Sequence, residues 1–222
     1  MTYQSDFGSP IKLAAIVYRS GSDDVDCLLG SFAADLILEG HRIGGVVQHN
    51  IEGPLGARDQ MRLLDLMNGH TISISQPGRS TSACHLDTAG LAQAAVSVSR
   101  AIASGVDLVV VNKFSKQEAA GGGLRAELSE AVAAGLPVLT AVSEKCLTEW
   151  AAFTAGLGAT LACNRAVVDA WWRDVSWRES RTGVLARLEQ RYGPLRGRPR
   201  SNVVALKPRS RADDELMQLE HR

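Results

Sequence analysis

Short apolar segments alternate with longer amphipathic segments along most of the chain. Residues 11–18 and 106–112 are apolar without polar alternation, which is typical of strands buried on both faces of a sheet. Residues 23–39 carry apolar positions at helical spacing and end before Gly40. The other expected elements are helices at 88–104, 124–134, 143–154 and 165–177, and strands at 42–50, 136–142 and 159–163.

This alternation predicts an α/β fold, a doubly wound three-layer sandwich around a mainly parallel sheet. Ser22 and Asp87 are the expected N-caps of the first two long helices. Asn68-Gly69 separates two short apolar segments, which is a β-hairpin signal. We therefore expect a hairpin over residues 59–75 at one edge of the sheet.

Charge divides the chain into two parts. It is neutral overall, but residues 178–211 hold ten Lys/Arg against two Glu. The sequence thus predicts an α/β domain at residues 11–177 and a basic, largely flexible tail at 178–222. The tail is either a solvated segment or a contact arm for an acidic partner.

Composition narrows the class of protein. The four cysteines are scattered without metal-finger spacing. No signal peptide and no apolar run of membrane-spanning length stand out, so we expect a cytoplasmic protein with reduced thiols. Cys84, His85 and Asp87 lie together, but loop and cap roles explain them better than a metal site, and no metal ligand is assigned.

The turn after the first strand resembles a phosphate-binding loop with its main groups replaced. A Walker A motif needs Gly, Lys and Ser/Thr where this chain has Asp26, Cys27 and Leu28. Asp23, Asp24 and Asp26 would also repel a triphosphate. Either these acids only complement the helix dipole, or the turn holds a smaller oxyanion on backbone donors. The expected anion ligands of this turn follow the strand directly: Arg19, Ser20, Gly21 and Ser22.

The end of the strand at residues 106–112 is the second candidate. Asn112 and Lys113 stand where a Walker B strand carries its acids, and Ser115 replaces the Asp of an NKxD guanine-binding motif. Lys113, Lys116 and Glu118 precede three consecutive glycines and a helix, an arrangement that favours an anion nest. A flexible loop with solvated lysines is the alternative.

Beyond these residues, "CHLD", "VVVNKFSKQEAAGGGLR" and "PVLTAV" resemble a bacterial family of unknown function. Its members are often labelled molybdenum transporter ATP-binding proteins, and it is distantly similar to small P-loop nucleoside-triphosphatases. The resemblance covers residues 11–176 and implies a degenerate P-loop-like fold in a molybdenum context.

With the site residues, the resemblance implies a cytosolic accessory protein that binds molybdate or tungstate without hydrolysing ATP. Two alternatives stay open: a nucleoside-triphosphatase using ATP and Mg²⁺ at a non-standard site, and a non-catalytic regulator. A homo-oligomer through the Trp-bearing helix is also expected. The complete predicted ligand set is Arg19, Ser20, Gly21, Ser22, Arg58, Asn112, Lys113, Lys116 and Glu118.

Overall fold

The computed structural model describes residues 11–51, 60–75 and 87–193. The chain forms two compact units, Met1–Glu179 and Ser180–Arg222. Seven strands and seven helical segments make up the described chain, in the order β1 Leu13–Tyr18, α1 Val25–Leu38, β2 Ile43–Ile51, β3 Gln60–Asp65, β4 Thr71–Ser73, α2 Thr88–Ala103, β5 Leu108–Phe114, α3 Lys116–Ala119, α4 Arg125–Ala133, β6 Val138–Ser143, a 3-10 turn Glu144–Cys146, α5 Leu147–Phe153, β7 Ala159–Ala162 and α6 Arg165–Tyr192.

The strands form one sheet in the order β4-β3-β2-β5-β6-β1-β7. Strands β2, β5, β6, β1 and β7 are parallel, and β3 and β4 add an antiparallel hairpin at one edge. The predicted α/β class, the mostly parallel sheet and the edge hairpin are therefore confirmed. The hairpin turn contains Asn68-Gly69, as the sequence predicts.

Helices pack on both faces of the sheet. One core joins the sheet to α2, α4 and α5 through Val98, Leu128 and Trp150. The other joins it to α1 and the first part of α6 through Phe32 and Trp171. Apolar residues on both faces explain why β1, β5 and β6 lack polar alternation.

This arrangement creates a switch point in the sheet. The chain leaves β1 and β7 for helices on one face, whereas it leaves β5 and β6 for helices on the other face. Because β1 and β6 are neighbours, their following segments diverge and leave a crevice at their carboxyl ends. Ligands of open α/β sheets commonly bind in such crevices.

Several boundaries differ from those predicted. Helix α1 begins at Val25 with Asp24 as its N-cap, so the assignment of the cap to Ser22 was wrong. Strand β5 continues to Phe114, and the expected turn after it contains the short helix α3. Local capping contacts set these boundaries: Asp24 accepts from the Cys27 amide within α1, and Ser115 and Glu118 form a capping box at the start of α3.

Two other helices differ in extent or kind. The segment after β6 starts as a 3-10 turn before α5, where one helix was expected. Helix α6 continues past residue 177, where the predicted helix ends, through Tyr192.

Gly45 in β2 allows close approach of β2 to β5. It adopts φ +105°, and a Cβ there would overlap the Val110 carbonyl oxygen. Gly30, in the interior of α1, has no atom within 4 Å of its would-be Cβ. The same substitution to alanine therefore meets a clash at Gly45 and open space at Gly30.

We expect Gly45→Ala to lower the free energy of unfolding by roughly 3 kcal/mol or more, since it combines a backbone clash with a strained φ. Gly30→Ala, the control, should raise it by about 0.5–1 kcal/mol because alanine is favoured over glycine within helices. Urea denaturation measures both. Equal stability of the Gly45→Ala variant and the parent protein would contradict the register of β2 against β5.

Candidate functional site

A crevice of about 270 Å³ lies at the switch point between β1 and β6. Both strands are parallel, with Tyr18 opposite Ser143, so their carboxyl ends meet at the same edge. The residues that line the crevice come from the segments that follow the two strands: Tyr18, Arg19, Ser20, Ser143, Glu144 and Lys145.

The β1–α1 turn is closed by its own backbone. The amides of Ser22 and Asp23 both donate to the Arg19 carbonyl, at 3.2 and 3.1 Å. Gly21 sits within the turn at φ +83°, a conformation that glycine adopts without strain. Two of the amides that a wider phosphate loop would offer are therefore used inside the turn.

Asp23 is held by Arg19. Its carboxylate accepts from the Arg19 backbone amide at 2.7 Å and from the Arg19 guanidinium at 3.2 Å. The guanidinium hydrogen bond and then the backbone one lower the pKa of Asp23, while Asp23 raises the pKa of Arg19. Any stability that this depressed pKa provides is present above the unfolded-state pKa of Asp23. It is lost as pH falls through the folded-state pKa.

The other two acids of the turn are also engaged. Asp24 caps α1 by accepting from the Cys27 amide at 3.0 Å. Asp26 accepts from the Asn112 side-chain amide at 2.7 Å and lies 3.0 Å from the Lys113 ammonium. The turn therefore presents three acids that all have partners within the fold.

A bulge in β5 lets consecutive residues reach one carboxylate. Side chains at successive strand positions normally point to opposite faces. Val111 pairs with Thr140 and Phe114 with Val142, so β5 holds one residue more than β6 over this stretch. The irregularity lies at Asn112 and Lys113, and bulges of this kind redirect side chains next to sites.

Lys113 thus extends from β5 to the start of α1. Its ammonium lies 5.2 Å from the centre of the Tyr18 ring, and Tyr18 also lines the crevice. Asn112 is buried, and its side-chain oxygen has no hydrogen-bond partner among the described residues. Lys113 is consequently beside the crevice, next to its Tyr18 wall, whereas Asn112 contacts Asp26.

The Glu118 carboxylate lies against the glycine-rich segment before α4. Glu118 is 5 % exposed, and its carboxylate accepts from the amide and hydroxyl of Ser115 and from the Leu124 amide. A Cβ at Gly123 would overlap the Glu118 carboxylate. The carboxylate of Glu118 therefore occupies the space that an external anion would need. Lys116 is exposed on α3.

The structure brings only part of the predicted ligand set together. Arg19 and Ser20 line the crevice, Lys113 lies beside it, Asn112 binds Asp26, and Glu118 has a structural position. Gly21 and Ser22 shape the turn. Arg58, Cys84 and His85 lie outside the described residues.

The predicted ligand set omits three crevice residues, Ser143, Glu144 and Lys145. Their position after β6 was the available signal, because the carboxyl ends of parallel strands share one edge. That signal identifies a segment, but it does not say which side chains face the neighbouring strand.

The described helices include none that is both long and apolar enough to span a membrane.

The chain is 58% identical over 192 residues to the protein of Bradyrhizobium diazoefficiens named Molybdenum import ATP-binding protein ModC 2. The match covers 84% of this chain and 21% of that relative, so the chain spans about a fifth of the relative's length. No solved structure matches the chain. Residues 13–171 match the model of a family described as "Protein of unknown function (DUF2478)", and the chain belongs to that family.

Proposed function

We propose that the protein binds a compact oxyanion, molybdate or tungstate, as an accessory protein of molybdenum metabolism that does not hydrolyse ATP. The observation that carries the proposal is the crevice at the carboxyl ends of β1 and β6. Its volume of about 270 Å³ suits a tetrahedral oxyanion with part of its hydration shell.

The lining supplies the groups that such an anion needs. Arg19 and Lys145 provide cationic donors, and Ser20 and Ser143 provide hydroxyl donors. Hydrogen bonds from charged donors to an oxyanion are among the stronger hydrogen bonds in proteins. Glu144 opposes them with one carboxylate, which leaves two cations against one acid along the lining.

The acids of the β1–α1 turn do not prevent this binding. Asp23 is paired with Arg19, and Asp26 is paired with Lys113 and Asn112. Paired carboxylates repel an incoming anion less than free ones do, since their partners offset much of their field. Because Arg19 would pair with both Asp23 and the anion, we expect the affinity for the anion to be modest.

A triphosphate fits this site less well. The loop lysine of a Walker A motif is replaced by Cys27, and the turn uses the amides of Ser22 and Asp23 internally. The molybdenum context comes from the name of the relative, which describes molybdenum import. We propose a molybdenum oxyanion as the ligand of this chain on that basis. ATP binding, which the same name describes, belongs to the alternative function.

The alternative is a nucleotide-binding protein with a non-standard phosphate site. One observation favours it: Lys113 places its ammonium 3.0 Å from Asp26 in the first turn of α1. A cation beside the start of that helix could replace the missing loop lysine once the pair with Asp26 opens. The glycines at 121–123 do not add to this reading, because the amides of Gly121 and Gly122 donate to backbone carbonyls and the Glu118 carboxylate lies against Gly123.

We expect Lys145→Ala to weaken molybdate binding about tenfold, because it removes a charge-assisted donor from the crevice. Lys145→Arg should retain most of the affinity, since it keeps the charge. Isothermal titration calorimetry with sodium molybdate measures both variants.

The matched control is Arg100→Ala, which removes one positive charge from the last turn of α2 near the amino end of β5. It should bind molybdate like the parent protein. If Arg100→Ala and Lys145→Ala weaken binding equally, a general loss of charge explains the effect and the crevice is not the site.

We also expect purified protein to hydrolyse ATP and GTP with Mg²⁺ no faster than the uncatalysed background. The physical reason is the missing loop lysine together with Lys113 being tied to Asp26. A phosphate-release assay measures the rate. Turnover near about 1 per second that disappears in Lys113→Ala would instead establish the nucleotide alternative.

A further inference from the structure

A second, larger cavity adjoins the crevice. It lies among β1, β7 and α5, has a volume of about 670 Å³, and shares Arg19 and Glu144 with the crevice. Cavities of this size commonly hold small organic molecules. The oxyanion proposed above would fill only the crevice, so this cavity is left without a role.

The cavity is apolar over much of its lining. Val17, Leu147, Leu161 and the indole of Trp150 contribute apolar surface. Gly158 packs closely against this wall, since a Cβ there would lie 2.9 Å from the Thr154 methyl group and 3.1 Å from the Trp150 ring. An occupant therefore needs an apolar body.

Charge at the rim favours a cationic head group. The described residues that line the cavity include two carboxylates, Asp23 and Glu144, and one cation, Arg19. Arg19 is already paired with Asp23 at 3.2 Å. Asp23 holds the Arg19 guanidinium directly and raises its pKa, whereas the charge of Glu144 acts on Arg19 and helps to raise that pKa, which leaves the exposed Glu144 carboxylate accessible to a ligand.

A further observation agrees with a negative field. Burial raises the pKa of the Cys163 thiol at the end of the cavity, and the carboxylates of Asp23 and Asp24 raise it further. Trp150 contributes an apolar wall, since it is 1 % exposed and packs against Phe114 and Phe153.

We propose that this cavity binds a small organic cation, an amine whose apolar body packs on Leu147, Trp150 and Leu161 and whose ammonium group pairs with Glu144. This ligand differs in charge from the oxyanion that the crevice is proposed to bind. It touches the crevice through Arg19 and Glu144, so each ligand changes the affinity of the other by the same factor.

Three probes with similar bodies and different charge test the proposal: 2-phenylethylamine, 2-phenylethanol and 3-phenylpropanoate. Their binding is followed by the indole N–H resonance of Trp150 in ¹H–¹⁵N NMR, assigned with Trp150→Phe. We expect the amine to bind about threefold more tightly than the alcohol, because one partly exposed ion pair contributes that much. The carboxylate should bind most weakly.

Variants separate head-group recognition from cavity filling. Glu144→Gln should remove the preference for the amine and leave the affinity of the alcohol unchanged. Ala151→Leu, which extends a lining residue of α5, should weaken binding of both. Ala152→Leu, the matched control at the next helix position, should bind like the parent protein.

The outcomes are decisive in both directions. Binding of 3-phenylpropanoate as tight as that of the amine would overturn the charge assignment. A Trp150 resonance that does not move with millimolar amine, or equal effects of Ala151→Leu and Ala152→Leu, would overturn the cavity as the site. Unchanged molybdate binding by Ala151→Leu would show that these failures leave the oxyanion proposal intact.

Discussion

The contact of Asp26 with Lys113 and Asn112 is the constraint on which the site depends. It joins the first turn of α1 to the bulged end of β5, across a separation of 86 and 87 residues along the chain. Both side chains of the pair are about four-fifths buried, so solvent screens them less than a surface pair. Removing either partner of this partly buried pair is expected to destabilise the fold, because the other charge would remain without compensation.

This pairing explains how the turn tolerates three acids. Asp23 and Asp26 each hold a cation, and Asp24 holds a backbone amide of its own helix. Lys113 and Arg19 consequently form ion pairs within the fold in the absence of a ligand. The segment after β6 supplies what remains: Lys145 and Ser143 enter the crevice opposite Arg19 and Ser20.

Much of the fold could be predicted from sequence because burial on both faces leaves an unbroken apolar pattern. Strands β1, β5 and β6 and the edge hairpin follow from that pattern and from Asn68-Gly69. The site could be predicted less well. The cap at Asp24 rather than Ser22 and the Glu118 carboxylate in the glycine-rich nest depend on local geometry. The approach of Lys113 to Asp26 depends on elements far apart in sequence, which no local motif encodes.

We expect this crevice to prefer a compact oxyanion to a triphosphate. Calorimetric titration of the unmodified protein with molybdate, tungstate, sulfate, phosphate and Mg²⁺–ATP measures that preference. Molybdate and tungstate should give saturable heat, and Mg²⁺–ATP should bind more weakly. Tighter binding of Mg²⁺–ATP than of either metal oxyanion would contradict this expectation.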